Sequence, residues 1–302
     1  ETVTEALLKV GEEHPEVVAI TAAMPDSTGL LPFQDRFPDR FFDVGIAEQH
    51  AVTAAAGMAL GGLKPVVALY STFLTRAIDQ ANLDVGLHGA PVVFCLDRAG
   101  ITGDDGPSHH GILDMVLLSK VPGMTVFAPS SYQDLQVMLA DAIDLDGPVA
   151  IRWPKTEARN VPEHEVGVGR RGRKLRDGSD VCILAVGKMV AAALDAATSL
   201  EADGISTSVW DARCVAPLDG EMLDDAAGHP AVLTAEDGLI DGGAGESMLR
   251  HLLDRDPGLS SRVKVLGVPK RYLPHGKVDD ILAELGLDAD GFASSARALI
   301  TD

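Results

Sequence analysis

No uninterrupted apolar run in this chain approaches the roughly 20 residues a helix needs to cross a bilayer, so a soluble, cytoplasmic protein without a membrane partner is expected. Basic residues are also scarce, with 25 Lys and Arg against 45 Asp and Glu and a formal charge of −20. Nucleic acid and anionic membranes are recognised by clustered cations, and neither is expected as a partner. A phosphorylated small substrate is still admissible, because a few local arginines hold one phosphate whatever the overall sign. Cysteine is sparse too. Cys95, Cys182 and Cys214 lie far apart, form no CxxC and are odd in number, which points to buried reduced thiols rather than metal or redox work. The chain opens at Glu1 without an initiator Met, a basic stretch or a signal-like apolar run, and a fragment or processed chain is expected. It contains no internal repeat and no low-complexity tract.

What is present is alternation. The runs VVAIT, FFDV, PVVALY, PVVFCLD, MTVFAP and PVAIRW are β-branched and apolar, and helical patterns such as 79–88 and 132–143 separate them. Continuous apolar strands alternating with helices predict a parallel sheet covered on both faces. The pattern breaks over 154–178, where Pro162, several glycines and the basic run GRRGRKLR read as a solvated connection rather than a binding patch. It then resumes through VCILAVG, a helix over 189–202, STSVWDA, a helix near 218–227, AVLTAED, a helix after Gly245, VKVLGV and two terminal helices. The chain is long enough for two cores. The expected fold is therefore α/β, with a parallel-sheet domain over 1–158, a linker over 159–178 and a smaller α/β domain over 179–302.

Three segments carry chemistry. In FFDVGIAEQHAVTAAAGMALGG, Glu48 falls at the start of a helix whose small apolar residues predict burial on most sides. The helix dipole favours its charged form and desolvation its neutral form, a balance suited to sharing a proton with a ligand nitrogen; an ordinary first-turn Glu stabilising the helix is the alternative. In YSTFLTRAIDQ, Tyr70, Phe73 and Arg76 recur at spacing three, and on a helical turn they share one face. Core aromatics with a snorkelling Arg would give the same triplet. In CLDRAGITGDDGPSHHGILD, a glycine-rich loop follows a strand, where open α/β sheets place ligands, and it carries Arg98, Asp104, Asp105, His109 and His110. His109 suits a proton shuttle or a donor to a substrate oxygen, with a plain surface His as the alternative. Adjacent histidines do not face one another as a chelating helical pair does, so no metal site is read here. GGAGES completes only part of GxGxxG and reads as close backbone packing at a helix start.

Taken together, DVGIAEQHAV, YSTFLTRAIDQ, LDRAGITGDDGPSHHG, APLDGEMLDDAAGHPAVLTAEDGLIDGGAG and ELGLDADGF resemble the transketolase-like thiamine-diphosphate enzymes, and among them the 1-deoxy-D-xylulose-5-phosphate synthases. The likeness spans nearly the whole chain. It implies a pyrimidine-binding domain followed by a transketolase C-terminal-type domain. It further implies that Glu48 hydrogen-bonds the aminopyrimidine of thiamine diphosphate and that Phe73 stacks on the pyrimidine. Tyr70, Arg76, Asp105 and His109 match positions lining the substrate pocket, with Glu48, His109 and Asp105 as the catalytic set. Arg76 and Arg98, with Lys155, would hold the phosphate of glyceraldehyde 3-phosphate.

The implied reaction is decarboxylative condensation of pyruvate with glyceraldehyde 3-phosphate to 1-deoxy-D-xylulose 5-phosphate, upstream of isoprenoid and thiamine precursors, in a homodimer. Two departures stand out: Lys155 occupies the place of an arginine common in these synthases, keeping the charge but losing the bidentate fork, and Pro25 stands where an arginine is common. The GDG-to-Asn constellation that holds magnesium and the cofactor diphosphate in the family is missing from the sequence. A diphosphate-binding domain is therefore expected as a partner, either from the same polypeptide or from a separate subunit, and the completeness of the glycine-rich loop favours the former. The alternatives are one subunit of a split transketolase acting on ketose phosphates, which Lys155 encourages, and a non-catalytic dimerising remnant.

Overall fold

A computed structural model describes residues 2–301. The apolar runs of the first half become β1 (Val17–Thr21), β2 (Phe41–Asp43), β3 (Lys64–Tyr70), β4 (Val93–Asp97), β5 (Thr125–Phe127) and β6 (Val149–Arg152). All of these pair in parallel, in the order β5-β6-β4-β3-β1-β2. Successive side chains of a strand point to opposite faces, and the core divides accordingly. Val67 and Leu69 pack with Ala51, Val52 and Ala55 of the Glu48–Leu60 helix. Val66 and Ala68 pack with Leu7 and Val10 of Thr2–Glu13 and with Leu135, Met138 and Leu139 of Tyr132–Asp144. Ser131 caps the last of these helices, its hydroxyl accepting from the Asp134 amide at 3.0 Å.

The second half contributes β7 (Arg173–Arg176), β8 (Val181–Ala185), β9 (Thr207–Asp211), β10 (Cys214–Ala216), β11 (Ala231–Leu239) and β12 (Val263–Val268). Its five-stranded sheet runs β12-β11-β8-β9-β7. One face of β8 packs on the Met189–Ala202 and Ala289–Thr301 helices through Val190, Ala193, Phe292 and Ala296. The other face, through Cys182 and Leu184, joins the same cluster as Val126 and Ala128 of the first sheet. The fold is therefore the expected α/β pair of parallel-dominated sheets. Among the described residues no helix is long and apolar enough to cross a membrane.

Four features differ from expectation. Strand β10 leaves its own unit and pairs antiparallel with β5, so the first sheet has seven strands. The basic run is not simply solvated: Arg173–Arg176 forms β7, half-buried and antiparallel to β9, with Lys174 and Arg176 paired to Asp225 and Glu201. Cationic side chains suit an edge strand, because they cover it while their stems pack and their heads stay wet. The Glu48–Leu60 helix is buried on one side only, with Gln49, His50, Thr53, Gly57 and Leu60 exposed. Its small residues allow close approach from that side as well, but nothing among the described residues covers it. Finally, 79–88 is not a regular α-helix; one turn (Ile78–Gln80) widens into a π-helical segment (Ala81–Gly86).

Candidate active site

Parallel strands end together, and the ends of β2, β3, β4 and β6 gather the side chains singled out above. After β2 the chain turns through Gly45, at φ +69, while the Asp43 carboxylate accepts from the amides of Ala23 (2.8 Å) and Gly45 (3.0 Å). This turn delivers Glu48 to the first position of its helix, 4% exposed. Its Oε1 accepts from Arg76 Nη1 at 3.2 Å. Its Oε2 has no hydrogen-bond partner among the described residues.

Tyr70, Phe73 and Arg76 do not share one helix. Tyr70 ends β3, Phe73 lies in the turn Ser71–Leu74, and Arg76 in the tighter turn Thr75–Ala77. They nevertheless face one another: the Tyr70 and Phe73 rings stack at 5.6 Å and 9°, and the Arg76 guanidinium carbon lies 5.3 Å from the Phe73 centroid. His109 meets Phe73 edge-on at 5.4 Å and 72°, and its Nδ1 is 2.9 Å from Ser108 Oγ. On the far side, the Arg98 guanidinium lies 4.1 Å over the Tyr70 ring, within cation–π range. The result is a continuous ladder from Glu48 through Arg76, Phe73 and Tyr70 to Arg98.

The glycine-rich loop closes on itself. Gly100 and Gly111 exchange two backbone hydrogen bonds of 2.8 Å, forming a neck beneath which the loop carries its polar side chains. Gly111 has no alternative, since a Cβ there would lie 2.4 Å from the Arg98 carbonyl oxygen. The two adjacent histidines divide their tasks. His110 is buried; its Nδ1 accepts from the Thr102 amide (3.1 Å), so its Nε2–H donates to the Pro274 carbonyl (3.2 Å), pinning the loop to the second unit. His109 stays half-exposed beside Phe73. Asp105 accepts from Lys155 Nζ at 2.9 Å, and that bond holds its carboxyl below the usual range. Arg98 and Lys155 line a cavity of about 350 Å³ with Ser27, Thr28, Asp97 and Trp153.

Sequence reasoning missed two sets of charges. Asp97, next to Arg98, is buried at the end of β4, and its signal was its place at the carboxyl end of an apolar strand. Glu236 and Asp237 sit inside β11, two consecutive carboxylates in an otherwise apolar strand. Glu236 accepts from the amides of Ala244 (3.1 Å) and Gly245 (2.7 Å) at the start of the Ala244–Arg255 helix, and burial pushes its carboxyl up to about 7. This explains the GGAGES segment: Gly245 has no room for a Cβ, which would lie 2.5 Å from Thr234 Oγ1.

Metal-ligand chemistry elsewhere is already spent. Cys182, Asp225 and His229 bring ligand-type atoms within 4.8 Å of one another. Asp225 Oδ2, however, accepts from Trp210 Nε1 (2.7 Å) and pairs with Lys174 (3.1 Å). Both His229 nitrogens have partners, in the Asp225 carbonyl (2.8 Å) and Ser208 Oγ (3.1 Å). Burial pushes the Cys182 thiol up, away from the thiolate a metal would need. Cys95 and Cys214 are likewise buried, their thiols pushed up by burial to about 12 and about 11.

Residues 1–161 match the family described as transketolase, pyrimidine binding domain, and residues 170–291 match transketolase, C-terminal domain. The 1-deoxy-D-xylulose-5-phosphate synthase of Magnetococcus marinus is 48% identical over 302 residues, covering 98% of this chain and 48% of that protein. Synthase 1 of Geobacter sulfurreducens is 47% identical, again over 98% of this chain and 47% of its own length. The Mycobacteroides abscessus synthase is 48% identical over 289 residues, covering 94% of this chain and 45% of that protein. The chain thus spans about half the length of the curated relatives it matches. Among solved structures, a split gene transketolase, an inactive beta4 tetramer, superposes with a TM-score of 0.88 at 30% identity, covering 99% of this chain and 97% of that one.

Proposed function

Since this chain belongs to the transketolase family and carries its pyrimidine-binding and C-terminal domains, we propose that it is the corresponding part of a thiamine-diphosphate-dependent 1-deoxy-D-xylulose-5-phosphate synthase. The reaction joins pyruvate to glyceraldehyde 3-phosphate, releasing carbon dioxide and forming 1-deoxy-D-xylulose 5-phosphate. The observation that carries the reading is the ladder from Glu48 to Arg98 with His109 beside it, in a chain 47–48% identical to named synthases. Residues 1–158 then serve as the pyrimidine-binding part and 179–302 as the C-terminal part, joined through 159–178.

The residues fit the cofactor's pyrimidine. Glu48 is a buried carboxylate with one oxygen held by Arg76 and the other left to exchange a proton with a ring nitrogen or amine. Phe73 is half-buried and offers an aromatic surface against which a heteroaromatic ring stacks. Thiamine diphosphate, when bound, supplies the electron sink for decarboxylation. His109 donates to or accepts from a substrate oxygen, and Asp105, kept ionised by Lys155, orients a hydroxyl by accepting from it. Tyr70 walls the pocket, while Arg76, Arg98 and Lys155 take the substrate's anionic groups.

Magnesium and the cofactor diphosphate are assigned to a diphosphate-binding domain, on the same polypeptide or on another subunit. The inactivity of the split gene transketolase tetramer, which this chain matches over 97% of its length, supports that need. The uncovered side of the Glu48–Leu60 helix, with Ile46 77% and Leu87 75% exposed nearby, supports a homodimer. The assembly is placed in the cytoplasm.

Lys155 favours a second reading, a split transketolase using ketose phosphates, because a lysine engaged with Asp105 is a poorer bidentate phosphate clamp than arginine. The test combines this chain with a diphosphate-binding domain, thiamine diphosphate and magnesium, and measures carbon dioxide from pyruvate with and without glyceraldehyde 3-phosphate. Triose-dependent release is expected. Silence with pyruvate but cleavage of xylulose 5-phosphate would replace the first reading with the second.

A further inference from the structure

Arg98 is held with unusual completeness for a residue at the mouth of a pocket. It follows directly on β4 and adopts φ +58, a left-handed conformation that a residue with a side chain rarely takes. Such backbone persists where the surroundings over-determine it, and functional sites are where it concentrates. Here the chief constraint is one carboxylate. Asp97 Oδ1 accepts from the Arg98 amide at 2.7 Å, and Asp97 Oδ2 accepts from Arg98 Nη1 at 2.6 Å, so Asp97 grips both the main chain and the side chain of its neighbour. The Ser27 carbonyl accepts from the same Nη1 at 3.1 Å, and the Tyr70 ring supports the guanidinium from beneath at 4.1 Å.

The consequence is a guanidinium committed along one edge and vacant along the other. Nε and Nη2 have no partner among the described residues, and the side chain lines the 350 Å³ cavity shared with Lys155. A planar fork with two parallel N–H groups matches the oxygens of a phosphate. A flexible arginine would lose rotamer freedom on binding such an anion, whereas this one has lost it on folding.

We propose that Asp97 is a positioning residue for phosphate recognition: it fixes the backbone and one edge of Arg98 so that the opposite edge is presented, ready-made, to the phosphate of the substrate. The inference rests on the proposed reading for the identity of that substrate, but the site's preference for a phosphate can be tested separately. Asp97 does not touch the phosphate; it acts through Arg98.

Two measurements test it. The first uses this chain alone with inorganic phosphate as the probe, followed by fluorescence of Trp153, which lines the same cavity. Saturable binding is expected, weakened on the order of tenfold or more by Asp97→Asn, as the loss of one charge-assisted hydrogen bond implies, and removed by Arg98→Ala. The second uses the chain assembled with a diphosphate-binding domain and compares glyceraldehyde 3-phosphate with unphosphorylated glyceraldehyde. Asp97→Asn should lower selectivity for the phosphorylated aldehyde by a similar factor, an effect that general loosening of the fold would not produce. If Asp97→Asn does not fold, Asp97→Ser keeps an oxygen for the Arg98 amide without the charge and gives the same comparison. A wild-type chain that shows no saturable phosphate response, or an Asp97→Asn chain that binds phosphate as well as wild type, overturns the inference. An assembly inert towards pyruvate while the phosphate result holds overturns only the functional reading.

Discussion

At the open ends of the first sheet, Arg76 and Arg98 pair with Glu48 and Asp97 and still keep part of each guanidinium unspent, Arg76 towards solvent and Arg98 beside a cavity. At the seam between the sheets the same residue types are enclosed. Arg152 is 2% exposed, with Nε on Asp114 (2.8 Å) and Nη1 on Asp237 (2.5 Å). Burial opposes its charge, but Asp114 and then Asp237 outweigh that and raise its pKa. Arg213 is fully buried at φ +55, with Nε on Asp134 (3.0 Å) and Nη1 on the carbonyls of Gly169 and Arg171. What separates the two regions is not composition but access. A guanidinium open to solvent on one edge can trade water for substrate, whereas an enclosed one is committed to the fold, where loss of a partner leaves a bare charge.

The contrast makes its largest claim on catalysis. Glu48→Ala, in the chain assembled with its diphosphate-binding partner, is expected to lower turnover on the order of 10²–10⁴-fold, the usual range for a positioned proton-transfer group. Stability should barely change, since the orphaned Arg76 is 55% exposed and simply rehydrates. Turnover within a few-fold of wild type would remove Glu48 from the mechanism. A large fall in melting temperature would move it from the open region to the seam.

Arg213→Ala should behave in the opposite way. It leaves Asp134 and Asp211 buried together without their cation, and breaking such a pair costs about 3–5 kcal/mol. Denaturant unfolding measures this, with Arg171→Ala as the reference. Arg171 pairs with Glu221 at 3.0 Å, but both side chains are about 70% exposed, and exposed pairs contribute at most about 1 kcal/mol. Equal losses for the two variants would erase the distinction between seam and surface.

Much of the first region was legible because its causes are local. Continuous β-branched runs identify β1, β3, β4 and β6, and loops at the ends of parallel strands are where ligands go. Tyr70, Phe73 and Arg76 were grouped by helical spacing; they do meet, but across a strand end and two short turns. The seam was illegible because its partners are distant in sequence: Arg152 meets Asp237 across 85 positions and Arg213 meets Asp134 across 79. Periodicity carries no information on such pairings. The strand β7 was hidden for a different reason, since RKLR has neither the apolar run nor the alternation that marks a half-buried strand, and its place follows from the edge of β9.

The smallest expected effect concerns the seam's pH response. Asp211 accepts from Ser130 Oγ (2.5 Å) and from the Arg213 amide (3.0 Å), and burial, followed by the nearby Asp134 charge, pushes its carboxyl up to about 7 against an ordinary 3.8. Between those values the native state holds a proton that the unfolded chain has released. Stability from this group is therefore complete below about pH 4 and is lost as pH rises towards 7. The carboxylates with lowered values, Glu16, Asp105 and Asp225, act in the opposite sense but belong equally to a variant and to the wild type. Asp211→Asn replaces a protonatable group by a permanently neutral one of the same shape, so the difference in melting temperature between variant and wild type should shift in favour of the variant as pH rises from 4 to 7. A difference that stays constant over that interval would mean that Asp211 is ionised throughout, held so by Arg213 against the burial that opposes its charge.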